Sequence, residues 1–296
     1  MLFRSDASAR AATRAIAEGA EIILGPLFAQ SVTSVAPVAA TQNVPVVAFS
    51  TDRSVAGRGV YLLSFQPEDE VRRIVSYAAA KGHSAFSAMI PQTAYGQKVG
   101  DAFRAEVAKA GGQVRNVETF VETPEATFAP AKTVATAHPD AVLIAEGGNV
   151  LRAIAPTLAL NGASAPATKF LGTGLWDDAT VGREPMLLNG WYAAPSPTAW
   201  QGFARRYQQA FGAAPPRIAS LGYDAMSLVV LLSSGRPYLR YTQTTLTDPN
   251  GFSGIDGIFR FHADGSVERG LAIMQVGQTG ATVIDPAPQT FQLVGF

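Results

Sequence analysis

The chain has 296 residues, 47% of them apolar, with 23 basic and 23 acidic side chains in formal balance. That length accommodates two ordinary domains or one large one, and the apolar content argues against a disordered chain. Charge neutrality gives no electrostatic footprint for nucleic acid or an anionic membrane, and no apolar run reaches the 18 or so residues of a transmembrane segment. Cysteine is absent, which removes disulfides, thiolate nucleophiles and cysteine metal sites together. Met1-Leu-Phe-Arg-Ser-Asp carries neither the apolar core nor the cleavage site of a signal peptide.

Strand and helix patterns alternate along the chain. Residues 1–4 read as a mere stub of strand before the Ser5-Asp6 turn, where a doubly wound domain would open on a full strand. Either a βα unit is missing upstream or the sheet starts with a short edge strand. Ala and Ile recur at helical spacing over 7–18. EIIL (21–24), VPVVA (44–48) and VYLL (60–63) are short apolar runs ending at turn formers, as buried parallel strands do. Val71, Ile74, Val75 and Ala78 form one helical stripe over 71–80. FSAMI (86–90) reads as a strand, followed by a loop carrying Tyr95-Gly96 and a helix over 99–110 with Val99, Phe103 and Val107 facing a core. AVLI (141–144) and KFLG (169–172) are further strands. This order implies βαβ units around a parallel sheet, an α/β fold. Residues 254–276 then read as an antiparallel hairpin across His-Ala-Asp-Gly, with connectors at 193–200 and 235–251.

Catalytic and cofactor motifs are missing. There is no GxSxG, no GxxxxGK[ST], no GxGxxG and no HExxH, and His83, His138 and His262 stand apart in turn-like contexts. No cofactor, resident metal or catalytic residue is therefore expected. Asp177-Asp178 suits either a hard cation or a solvated helix start.

Five strand ends instead present small, hydroxylic, amide or aromatic groups. They are Phe28-Ala29-Gln30-Ser31, Ser50-Thr51-Asp52, Tyr95, Glu146-Gly147 and the loop to Trp176. In open α/β sheets, ligands bind outside the carboxyl ends of the strands, and backbone N–H groups at helix starts suit an anion. Tyr95 and Trp176 would add flat apolar contact with a polar edge. Individually, Ser, Thr and Asp after a strand also serve as helix caps.

YGQKVGDAFRAEVAKAGGQV, EIILGPLFAQS, VPVVAFSTD and IASLGYDAMSLVVLL together resemble the type 1 periplasmic-binding-protein fold, in particular its branched-chain amino-acid group. ILGPLFAQSV, SFQPEDEVRRI and MIPQTAYGQKVGDAFRAEVAKAGG also resemble the C-terminal domain of the outer-membrane lipoproteins that activate penicillin-binding proteins. The resemblance implies two Rossmann-like lobes with parallel sheets, joined by three hinge crossovers near residues 66, 195 and 251. Lobe I would hold 1–66 and 196–250, and lobe II 67–195 and 251–296, with the first βα unit missing.

The resemblance also implies a non-catalytic receptor. A small polar ligand in the interlobe cleft would bias an open–closed hinge equilibrium. The partner would be a membrane permease complex, or alternatively a peptidoglycan synthase regulated by a lobe surface. The location would be periplasmic, with a lipid anchor on a segment outside this chain. Carried over residue by residue, Tyr95 matches the family's ligand-contacting tyrosine. The serine that meets the ligand carboxylate corresponds to Ala29, with Gln30 and Ser31 beside it, and the family's Ala-Thr corresponds to Thr51-Asp52. The acid that pairs the ligand ammonium falls near Gly174, so that anchor is lacking unless Asp52 or Glu146 replaces it.

Overall fold

The computed structural model describes residues 2–178 and 180–292. In chain order the elements are α1 (Leu2–Ala17), β1 (Ile23–Leu24), α2 (Ala29–Thr41), β2 (Val46–Ala48), β3 (Val60–Leu62), α3 (Pro67–Ala80) and β4 (Ala85–Pro91). Next come α4 (Ala94–Lys109), β5 (Gln113–Phe120), α5 (Phe128–Thr136), β6 (Ala141–Ile144), α6 (Gly148–Leu160), β7 (Lys169–Gly172) and β8 (Trp191–Ala194). The last are α7 (Pro197–Phe211), α8 (Ala219–Leu232), α9 (Gln243–Leu246), β9 (Phe252–Gly254), β10 (Gly257–Phe261), β11 (Val267–Arg269), β12 (Ala272–Gln275) and β13 (Thr282–Asp285).

Two compact units result. Unit 1 takes the chain up to Gln66, Ser196–Gly270 and a last stretch from Pro288; unit 2 takes Pro67–Pro195 and Leu271–Ala287. The expected assignment of everything after residue 250 to lobe II needs correction. β9, β10 and β11 belong to unit 1, because Phe252, Phe259, Phe261 and Val267 share one core with Val47, Tyr61 and Leu63. The chain passes to unit 2 after Gly270 rather than near 251, and returns after Ala287.

In unit 1, β1, β2 and β3 form a parallel sheet in that order, while β9, β10 and β11 form a separate antiparallel sheet. The expected hairpin turn lies between β10 and β11, where the His262 N–H donates to the Ser266 carbonyl. The expected strand stub at the start is instead helical: α1 begins at Leu2, and Met1 lies outside the described residues. Alanine-rich sequence without a pairing strand takes this form readily.

Unit 2 is built on a seven-stranded sheet, β13-β12-β8-β7-β6-β4-β5, parallel from β8 to β5 and antiparallel at β12 and β13. On one side Val71, Ile74 and Val75 of α3 and Val99, Phe103 and Val107 of α4 pack in a core with Phe86, Ala88 and Leu143. Leu151, Ile154 and Leu158 of α6 pack with Val134 of α5 in a second core. Each such Val, Leu, Ile or Phe side chain, fully buried, contributes about 1.5–3 kcal/mol. The order of the parallel strands reverses between β4 and β6. That reversal is a topological switch point, where the loops from adjacent strands diverge and leave a crevice.

Candidate functional site

The switch point of unit 2 gathers the first set of polar groups. Tyr95 stands in the first turn of α4 rather than in a loop, because Thr93 caps that helix with its Oγ1 accepting the Gly96 N–H at 3.1 Å. The Tyr95 hydroxyl lies 2.8 Å from Oγ1 of the buried Thr173, just after β7. Glu70 reaches the same place from the first turn of α3 and accepts the Gly174 N–H at 2.9 Å. A Cβ on residue 174 would sit 2.7 Å from Glu70 Oε1, so glycine there makes room for the carboxylate.

Glu146, after β6, accepts the Gly147 N–H at 2.9 Å through Oε1, while its buried Oε2 has no hydrogen-bond partner. Burial pushes the Glu70 carboxyl up to about 7, with the Gly174 N–H opposing and Asp69, Asp177 and Glu68 adding to the rise. Burial likewise raises Glu146, and it raises the Tyr95 phenol with Glu70 contributing. Among the described residues no cationic side chain pairs with either carboxylate. The unit therefore holds two acids and a phenol poised for donors or a cation.

Trp176 has a different place from the one expected. It is 1% exposed and fills the core of unit 2, with Nε1 donating to the Glu146 carbonyl at 3.1 Å. An indole wedged against Gly172 and Gly190 offers no face to a ligand; it holds the Glu146 loop. Gly147 caps α6 and packs on the Leu175 carbonyl. Asp177 accepts the Tyr192 hydroxyl at 3.2 Å and Asp178 accepts the Thr180 N–H at 2.7 Å. Among the described residues no three acids, histidines or cysteines are grouped to hold a metal.

Unit 1 gathers the second set around a pocket of about 510 Å³ at the ends of β1, β2 and β3. Phe28, Ala29, Ser50, Thr51 and Asp52 all line it. Phe28 precedes α2 and is 65% exposed, an unusual cost for a phenylalanine. Ser50 is buried and accepts the Asp52 N–H at 3.1 Å, while Asp52 accepts the Ser54 N–H at 3.0 Å. Gln30 and Ser31 lie in the first turn of α2, outside this lining. A larger hollow of about 800 Å³ lies at the other ends of the same strands, beside the Glu21–Arg240 ion pair.

Sequence reasoning missed Glu70, Phe65 and Arg217. Glu70 sits in Pro67-Glu68-Asp69-Glu70, a run that reads as a solvated helix start. Arg217 follows two prolines and shows no pattern at all. In the structure Arg217 lines the unit-1 pocket beside Phe65.

A family model described as periplasmic binding protein matches residues 4–281. The chain belongs to the periplasmic binding protein family. A solved structure from Rhodospirillum rubrum, assigned to a branched-chain amino acid ABC transporter, is similar to this family member with a TM-score of 0.82 and 17% identity, covering 93% of this chain and 84% of that one. An ABC transporter solute-binding protein from R. palustris, in complex with benzoate, is similar at a TM-score of 0.66 and 15% identity, covering 97% and 83%. At such identities these likenesses show the fold alone. Over 114 residues the chain is 31% identical to the penicillin-binding protein activator LpoA of Erwinia tasmaniensis, covering 38% of this chain and 17% of that protein. This periplasmic binding protein thus spans less than a third of the length of the first curated relatives it matches.

Proposed function

We propose that the chain is an extracytoplasmic solute receptor that binds a small polar ligand, an amino acid or a related carboxylate, and delivers it to an ABC permease complex. The unit-1 pocket carries this reading. A concavity of about 510 Å³, walled by apolar side chains with a few placed polar groups, is the form small-molecule sites take. Membership of an extracytoplasmic binding family supports it, as do the titles of the structural neighbours, one concerned with branched-chain amino acids and one with benzoate. The role is binding without chemistry.

A thermal-shift screen of amino acids, their amides and aromatic acids tests the proposal. A stabilising ligand whose effect is lost in Phe28→Ala supports it; a flat response to the whole panel contradicts it.

The partial match to a penicillin-binding protein activator favours one alternative, a regulator of a peptidoglycan synthase. Under that role the chain binds a purified synthase, and Phe28→Ala with Tyr95→Ala leaves that binding unchanged.

A further inference from the structure

We infer that Arg217 is the carboxylate-recognising residue of the unit-1 pocket, and that the ligand is a small monocarboxylate with an apolar body. This deepens the solute-receptor proposal and rests on it.

The guanidinium is held in place before any ligand arrives. Its centre lies 4.9 Å from the Phe65 ring and 4.4 Å from the Trp200 ring. Nη2 is 2.7 Å from the carboxylate of Asp256, which is 0% exposed, and Nη1 donates to Ser220 Oγ at 3.1 Å. Ser220 Oγ in turn donates to the Arg217 carbonyl at 3.1 Å. Arginine carries five N–H donors in a planar fork, and these contacts engage only two of its nitrogens. The side chain retains 36% exposure and lines the pocket. Asp256 therefore steadies the charge while leaving donors over. A planar fork already fixed in orientation is the arrangement that takes a carboxylate through two parallel bonds at small entropic cost.

The surroundings favour an anion further. Arg269 lies 5.1 Å from the same Phe65 ring, and its Nε donates to the carbonyl of Ser64, another lining residue. Asp52, the acid in the lining, already accepts the Ser54 N–H. Apart from Ser50 and Thr51 the remaining wall is mostly hydrocarbon, including Leu27, Phe28, Phe49, Ile218 and Leu221. One anchored cation lining a mostly apolar hollow selects a molecule with one carboxylate and a greasy remainder.

The test is titration of the full chain with matched pairs, benzoate against benzamide and 4-methylpentanoate against 4-methylpentanamide, with leucine alongside. Each acid binds at least about tenfold more tightly than its amide. Arg217→Lys keeps the charge but loses the fork and retains part of that preference. Arg217→Met strands the buried Asp256, so it is made together with Asp256→Asn, and in that double variant the acid-to-amide ratio falls to about one. Equal binding of acid and amide by the wild type, or a preference that survives in the double variant, overturns the inference. So does binding of leucine without 4-methylpentanoate, since the ammonium would then be the requirement. If the paired series is silent while the wider screen yields another ligand, this inference falls and the receptor proposal stands; silence of every small molecule overturns both.

Discussion

Glu70 Oε2 lies 2.9 Å from the backbone nitrogen of Gly174, so a carboxylate from the start of α3 occupies the strand end where the family resemblance expected an acid and the sequence offers glycine. That carboxylate comes from another element, about a hundred residues earlier in the chain. This pair makes the local electrostatics testable.

Burial raises the Glu70 carboxyl from its ordinary 4.5 to about 7. A carboxyl raised on folding contributes stability that is fully present below its unfolded pKa and is lost as pH climbs through the folded one. The ligand-free chain should therefore lose stability between about pH 4.5 and 7 through this group. Glu70→Gln, which can still accept the Gly174 N–H, should match the wild type at pH 4 and exceed it by roughly 1–3 kcal/mol at pH 8. Urea unfolding across that range checks it, and parallel profiles for the two proteins would refute it.

Gly174→Ala should evict the same carboxylate, because the new Cβ would lie 2.7 Å from Glu70 Oε1. Once displaced toward water, Glu70 titrates near its ordinary value and the pH slope flattens. In a double-mutant cycle the two substitutions should then be strongly non-additive in stability at pH 8.

Trp176→Ala should cost about 3–5 kcal/mol, as loss of a large core side chain does, because the indole is packed against Gly172 in the core of unit 2. Gly172→Ala should destabilise by about 1–3 kcal/mol through overpacking against that ring. A Trp176 that merely touched ligand would leave ligand-free stability unmoved, so the unfolding midpoint separates the two roles.

Tyr95→Phe should remove one hydrogen bond to Thr173 and cost about 1 kcal/mol. The measurement is chemical unfolding without ligand, and no loss would mean that the Tyr95–Thr173 contact carries no weight.

The βαβ frame was legible because its signal is local. AVLI at 141–144 is β6 to the residue, since a strand buried on both faces must be continuously apolar. β5 escaped notice because QVRNVETF lies at the sheet edge, where Arg115 and Glu118 are tolerated and the apolar run is broken. The hairpin strands were recognised but given to the wrong unit, since the packing of Phe252, Phe259 and Phe261 against Tyr61 depends on residues nearly two hundred positions away. At the candidate site the same distinction holds. Phe28, the stretch from Ser50 to Asp52, and Tyr95 were visible as strand-end residues. Glu70 and Arg217 were not, because each is defined by a partner remote in sequence, Gly174 for the first and Asp256 for the second. Trp176 was misjudged because an aromatic after a strand reads the same whether it faces solvent or core.

Isothermal titration of the purified chain with the best ligand of the solute panel tests the central claim most directly. Saturable one-to-one binding is predicted, weakened at least about tenfold by Phe28→Ala in the unit-1 pocket. Absence of saturable binding, or a Phe28→Ala variant that binds as the wild type does, would contradict a receptor whose ligand is held by its strand-end residues.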